Sequence, residues 1–143
     1  HTFPLNSEGL GIASTYQVSL IVTDDNNCKD TTYKNIFVVD EYWIYIPNSF
    51  TPDNDQINDV FCISYHGVRT ETFQFIVYNR VSEVVYTTNN ISEIECFLND
   101  NGWDGKHQKT GEDLPMGMYV YDIYFQDFDG WKHQDYGNIY IIR

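Results

Sequence analysis

The sequence predicts an all-β protein: an Ig-like antiparallel β-sandwich, preceded by a partial Ig-like β segment. Three observations carry that reading. Aromatic residues make up 17% of the 143 residues, and most are Tyr (12) or Phe (9), which favour strands. Apolar and polar residues alternate with period two in run after run, as in strands buried on one face. Clusters of Asn, Asp, Gly and Pro separate the runs and mark turns. No segment shows a sustained 3.6-residue period.

The elements follow in order. "YQVSLIVT" (16–23) sets Tyr16, Val18, Leu20 and Val22 on one face of a half-buried strand. "DDNNCKD" (24–30) is a turn, and "KNIFVV" (34–39) a second strand. A two-stranded ribbon is marginal alone, so residues 1–40 read as the end of a larger sandwich whose other strands lie upstream. Asp40-Glu41 then punctuates the chain. A new series follows: "YWIYI" (42–46), "VFCISY" (60–65), "FQFIVYN" (73–79), "EVVYTT" (83–88), "MYVYDIYFQ" (118–126) and "GNIYIIR" (137–143). Along 118–126, Tyr119, Tyr121, Ile123 and Phe125 form an apolar face. Met118, Val120, Asp122 and Tyr124 form the wetter one. A helical turn is admitted only in "NNISEIECFLND" (89–100), and the stretches 99–117 and 126–137 read as turns.

Charge narrows the function. A formal charge of −13 and a pI near 4.3 disfavour nucleic acid and anionic membrane surfaces. They suit divalent cations and solubility outside a cell. No 18-residue apolar run exists to span a membrane. The opening "HTFPLNSEG" has no signal-peptide pattern, as expected equally of a mature or a truncated chain. Cys28, Cys62 and Cys96 make no C-x-x-C and no zinc pattern with the four His. A Cys62–Cys96 bridge would contribute about 3–4 kcal/mol on the chain-entropy model, and two free thiols fit the sequence as well. Cys28 is left over for a partner outside this chain. Catalysis is not expected: no Gly-flanked Ser, phosphate loop or Cys/His spacing supports it.

Two loops hold the chemistry-bearing residues. In "IPNSFTPDNDQIND" (46–59), Asp53, Asp55 and Asp59 could bind calcium through hard oxygens. The EF-hand glycine and distal Glu are missing. The favoured alternative is a tight corner, with Asp and Asn capping backbone N–H groups and Pro47 and Pro52 stiffening the approach. No cofactor is required in either case. In "WDGKHQKTGEDLPMG" (103–117), Trp103 reads as a plug at one end of the sandwich and Asp104-Gly105 as a turn. Gly117 reads as a bend where a side chain would clash. His107 and His133 read as solvated. A sugar platform of Trp43, Trp103 and Trp131 is the competing use of the aromatics, and a plain structural spacer the third reading.

From about Ile46 onward the chain resembles the gliding-motility-associated C-terminal domain of Bacteroidota, the type B sorting domain of the type IX secretion system. The matching pieces are "IPNSFTPDNDQIND-F" (46–61), "IVYNR--EVVY" (76–86), "WDG" (103–105), "LPMGMYVY" (114–121) and "GNIYIIR" (137–143). Within them Pro47, Asn48, Phe50, Pro52, Asn58, Asn79, Arg80, Trp103, Asp104, Gly105, Pro115, Gly117 and Tyr119 are the motif positions. Residues 1–40 resemble the C-terminal part of a PKD-like domain, a module common in large surface adhesins; 41–143 is then the sorting domain. The resemblance implies a non-catalytic secretion signal for a surface protein such as an adhesin. It implies export through the periplasm and outer membrane, with a PorP-like outer-membrane β-barrel as partner. Ile139, Ile141 and Arg143 on the last strand are the expected partner contacts.

The chain departs from the family at two turns. Asn54 and Gln56 replace corner-loop glycines, and Val81-Ser82 replaces Trp-Gly. Asn tolerates positive φ, so Asn54 fits; at Ser82 a different turn type is expected.

Overall fold

The computed structural model describes residues 14–38, 41–96 and 101–143. The chain divides into two compact units, His1–Glu41 and Tyr42–Arg143. In the first, β1 (Ser14–Thr23) and β2 (Lys29–Val38) form one antiparallel hairpin, paired from Ser14↔Val38 to Thr23↔Lys29. The Asp24 carboxylate closes its turn, accepting the N–H of Asn26 and of Cys28 at 2.9 and 2.8 Å. The second strand begins five residues before the predicted run, and Val39 of that run lies outside the described residues. The half-buried face holds only for Tyr16 and Val18, because Leu20 and Val22 are exposed, as is Ile21 behind them.

The second unit contains β3 (Trp43–Tyr45), β4 (Ser49–Phe50), β5 (Ser64–His66), β6 (Val68–Tyr78), β7 (Val84–Thr88), β8 (Gly117–Asp127) and β9 (Lys132–Ile141). Five of them make one sheet in the order β4-β9-β8-β6-β7, and β3 pairs β5 in a second, shorter sheet. All pairs are antiparallel except β4–β9, which is parallel. That exception is a two-residue pair within an otherwise antiparallel sandwich. The chain leaves the small sheet after Tyr45 and joins the large one at Ser49. Between them stands Pro47, which has no N–H to continue a ladder.

The strand β8 sets Tyr119, Tyr121, Ile123 and Phe125 inward, as its alternation predicts. Phe75 and Val77 of β6 and Ile139 and Ile141 of β9 complete the buried face, and Ile44, Ile46 and Tyr65 from the small-sheet side pack against it. Tyr121 lies over Gly137 on the neighbouring strand, where a Cβ would come 2.6 Å from its hydroxyl. The free edge of β7 is covered by Gln108. Its side-chain amide exchanges two hydrogen bonds with the Thr87 backbone, at 2.9 and 3.1 Å, while its own N–H reaches Val85 O. An edge covered in this way is closed to pairing with other chains.

Other boundaries differ from the sequence reading. Of 60–65, Phe61 and Ile63 make isolated pairings, and regular strand starts only at Ser64. The stretch 126–137 is mostly strand, with a short turn at 128–131, because β9 pairs β8 from Lys132 onward. The admitted helical turn is a single 3-10 turn, Ile91–Glu93, capped by Asn90. Residues 97–100 of that stretch lie outside the described residues. Cys62 and Cys96 form a disulfide with Cα atoms 4.9 Å apart, which decides between the two readings of these thiols. Cys28 is free and exposed.

Candidate functional site

The stretches that carry the resemblance are scattered through a hundred residues, yet they meet at one end of the sandwich. Trp103 is the centre. It is 1% exposed, with its ring 5.4 Å from Phe50, 5.9 Å from Tyr86 and 5.7 Å from Tyr119. Its indole N–H donates to Lys106 O at 2.8 Å, so no polar atom of the plug is left bare. The backbone of Trp103 pairs with Phe61, and Gly102 is needed beside it, since a Cβ there would meet Phe61 O at 2.6 Å. Asp104 turns the chain by accepting the Lys106 N–H and pairs with the Lys106 side chain at 3.6 Å. Gly105 follows at φ 74°, and its carbonyl accepts from Leu114 N.

The corner loop docks beside this plug. Phe50 is buried, and Pro52 lies against Gly105. Asn48 O accepts Tyr140 N, and Phe50 O accepts Ile142 N. The Asp59 carboxylate takes three N–H groups, from Asp53 and Asn54 on one oxygen and from Gln56 on the other. Asp53 accepts the Asp55 N–H, and Asp55 accepts the Ile57 N–H. Thr51 N donates to Asn58 O and closes the loop. These bonds hold Asn54, Gln56 and Asn58 at positive φ of 65, 71 and 55°. Ligand atoms of Asp53, Asp55 and Asp59 lie within 4.8 Å of one another. Carboxylate oxygens at this spacing fit a hard cation, and the loop N–H groups already offset much of their charge.

Arg143 is tied into the same end. Its Nη1 donates to Leu114 O at 2.6 Å, its Nε to Pro52 O at 3.4 Å, and its Nη2 lies 3.4 Å from Asp113 Oδ1. The last residue therefore staples the corner loop to the segment before β8. Ile139 and Ile141 are 0% and 2% exposed. They are core side chains rather than partner contacts, which corrects the expectation for them. The C-terminal end of β9 is not an edge either, because Tyr140 and Ile141 pair with β4 on one side and β8 on the other.

Tyr119 is buried, and its hydroxyl donates to Pro115 O at 2.9 Å. Burial raises its phenol above the ordinary value, and Arg80 and Arg143 pull partly the other way. The turn after Asn79 is a hairpin built on that side chain, whose Oδ1 accepts the N–H of Val81 and of Glu83 and whose Nδ2 donates to Glu83. Ser82 sits at φ 61°. The Asn79 bonds offset the strain of a serine in the left-handed region.

His107 and His133, the latter on β9, both have partners, which corrects the solvated reading. His107 lies 3.6 Å from Glu83. His133 pairs with the buried Asp127 at 2.8 Å, stacks on Phe125 and tilts against Tyr42. Burial favours the neutral acid at Asp127, but hydrogen bonds from His133 and from the Trp131 N–H outweigh it and hold the carboxyl below its ordinary range. The Trp platform does not form. Trp103 is core, Trp43 stacks with His66, and Trp131 is exposed at the β8–β9 turn.

The CHU_C type IX secretion signal domain, a family model, matches residues 44–141. The chain belongs to this family. The match spans the second unit almost end to end. Comparison with curated proteins returns no match. A type IX secretion signal domain directs export across the outer membrane, to the cell surface or the medium, through the secretion machinery, and its named role is a signal rather than a reaction. Among the described residues no helix is long and apolar enough to cross a membrane.

Proposed function

We propose that the Tyr42–Arg143 unit is the folded address of a larger surface protein, an adhesin of a gliding member of the Bacteroidota. The type IX machinery reads it in the periplasm, a PorP-like outer-membrane β-barrel accepts it, and the cargo stays at the outer membrane. The first unit is then the C-terminal part of a PKD-like domain and a spacer. The observation that carries this reading is the family match over 44–141. The Cys62–Cys96 disulfide supports it, since such bridges form in the oxidising periplasm and rarely in the cytosol. Calcium at Asp53, Asp55 and Asp59 is an accessory in this scheme, because the corner already has its own N–H donors.

The test is a secretion assay in a gliding bacterium with a type IX system. A fluorescent protein with an export signal is fused ahead of residues 1–143, beside the same reporter without them. The fusion is expected at the surface or in the medium, with the bare reporter in the periplasm. Periplasmic retention of the fusion, while the host exports its own cargo and a co-expressed PorP-like barrel gives no rescue, overturns the reading.

A further inference from the structure

The five resemblance-carrying stretches leave one cation unused. Of the three arginines, Arg69 donates to Phe128 O and Arg143 staples the corner loop to the segment before β8, while Arg80 makes no hydrogen bond or ion pair among the described residues. It is exposed, in a chain with 21 carboxylates and a formal charge of −13. The nearest acid in its own turn, Glu83, is held by Asn79 Nδ2 at 2.9 Å and faces His107. The Arg80 side chain is nonetheless placed. Its guanidinium lies against the bare backbone of Gly117, where a Cβ would come 2.5 Å from Nη2, and Gly117 sits at φ 146°. A side chain at 117 would push the guanidinium away.

Arg80 borders a cleft of about 400 Å³ with Asn79, Val81, Pro115, Met118 and Tyr119. Its rim is apolar and open: Val81 is 80% exposed and Met118 39%. We propose that this cleft is a docking site for a carboxylate side chain on an acidic loop of a partner protein. A guanidinium binds a planar carboxylate through two parallel N–H bonds. The valine and methionine rim would exclude water around that pair and adapt to an apolar neighbour on the loop. A second copy of this chain is the weaker occupant, since two surfaces of charge −13 repel. The proposal rests on the sorting reading and names the face of the domain that the machinery touches.

The experiment uses the full-chain fusion and four variants, with melting temperatures of the purified proteins as a folding control. Arg80→Glu is expected to cut export at least tenfold with an unchanged melting temperature, and Arg80→Lys, which keeps charge but loses the fork, to give an intermediate loss. Val81→Asp, at an exposed rim position, is expected to cut export about fivefold and supplies the answer should Arg80→Glu unfold. Lys109→Glu makes the same charge change elsewhere and should export like the parent. Export of both Arg80→Glu and Val81→Asp at the parent level overturns the docking site and leaves the sorting reading standing. So does an equal loss in Lys109→Glu, which would make the effect one of net charge. Failure of the parent fusion itself is the separate result that removes the sorting reading, and the docking site with it.

Discussion

The β1–β2 ribbon and the β8 strand carry similar sequence patterns and have different fates. Each alternates apolar and polar residues. In β8 the apolar set Tyr119, Tyr121, Ile123 and Phe125 is buried, while in β1 Leu20 and Val22 are exposed. Alternation determines which side chains share a face. Burial needs a second layer, and β8 has one because Phe61, Trp103 and the β3–β5 sheet close over it. The ribbon's exposed aliphatic face teaches that an alternating strand is a request for a partner layer and does not itself supply one.

Substitutions sharpen the contrast. Trp103→Ala should destabilise the second unit most, by about 3–5 kcal/mol for a fully buried Trp, read as a lower urea midpoint. Breaking the disulfide by Cys62→Ser should cost about 3–4 kcal/mol; a midpoint unchanged by reduction would show that the bridge does not close that loop in solution. Asp59→Ala removes the acceptor for three corner N–H groups and should cost about 1–2 kcal/mol by the measure of a lost helix cap. If those N–H groups suffice, millimolar calcium leaves the melting temperature of the parent unchanged. A saturable rise of several degrees, lost in Asp59→Ala, would instead establish the cation site.

Acid probes the β8–β9 turn. The Asp127 carboxyl is held below its ordinary range, so its contribution is complete above the unfolded value of about 3.9 and fades as pH falls through the lower folded value. Asp127→Asn should therefore flatten the acid limb of a stability–pH curve below about pH 4. The smallest effect belongs to the ribbon: Leu20→Ser, at a position 61% exposed, should change stability by less than about 0.5 kcal/mol. A larger loss there would show that the ribbon face is covered in solution.

Much of the candidate site was legible as motif and little of it as geometry. Trp103 as a plug and Asp104-Gly105 as a turn followed from local chemistry. The corner was legible for the same reason, since Asp and Asn bond backbone N–H groups a few residues away. Arg80 was visible only as a motif position. Nothing local distinguishes an unpaired arginine from a paired one, because its neighbours Gly117, Met118 and Tyr119 lie about forty residues downstream. Gln108, which covers the β7 edge, left no signal at all, and the His133–Asp127 pair was hidden by a turn read as longer than it is.

By itself the sequence determined the all-β class, the inward face of β8, the corner residues and the family, because period, turn chemistry and motif order are properties of neighbours in the chain. Tertiary structure alone decided the parallel β4–β9 pair, the Cys62–Cys96 bridge, the burial of Ile139 and Ile141, and the cleft beside Arg80. Each of these depends on which distant segments meet, and that is set by closing one layer over another.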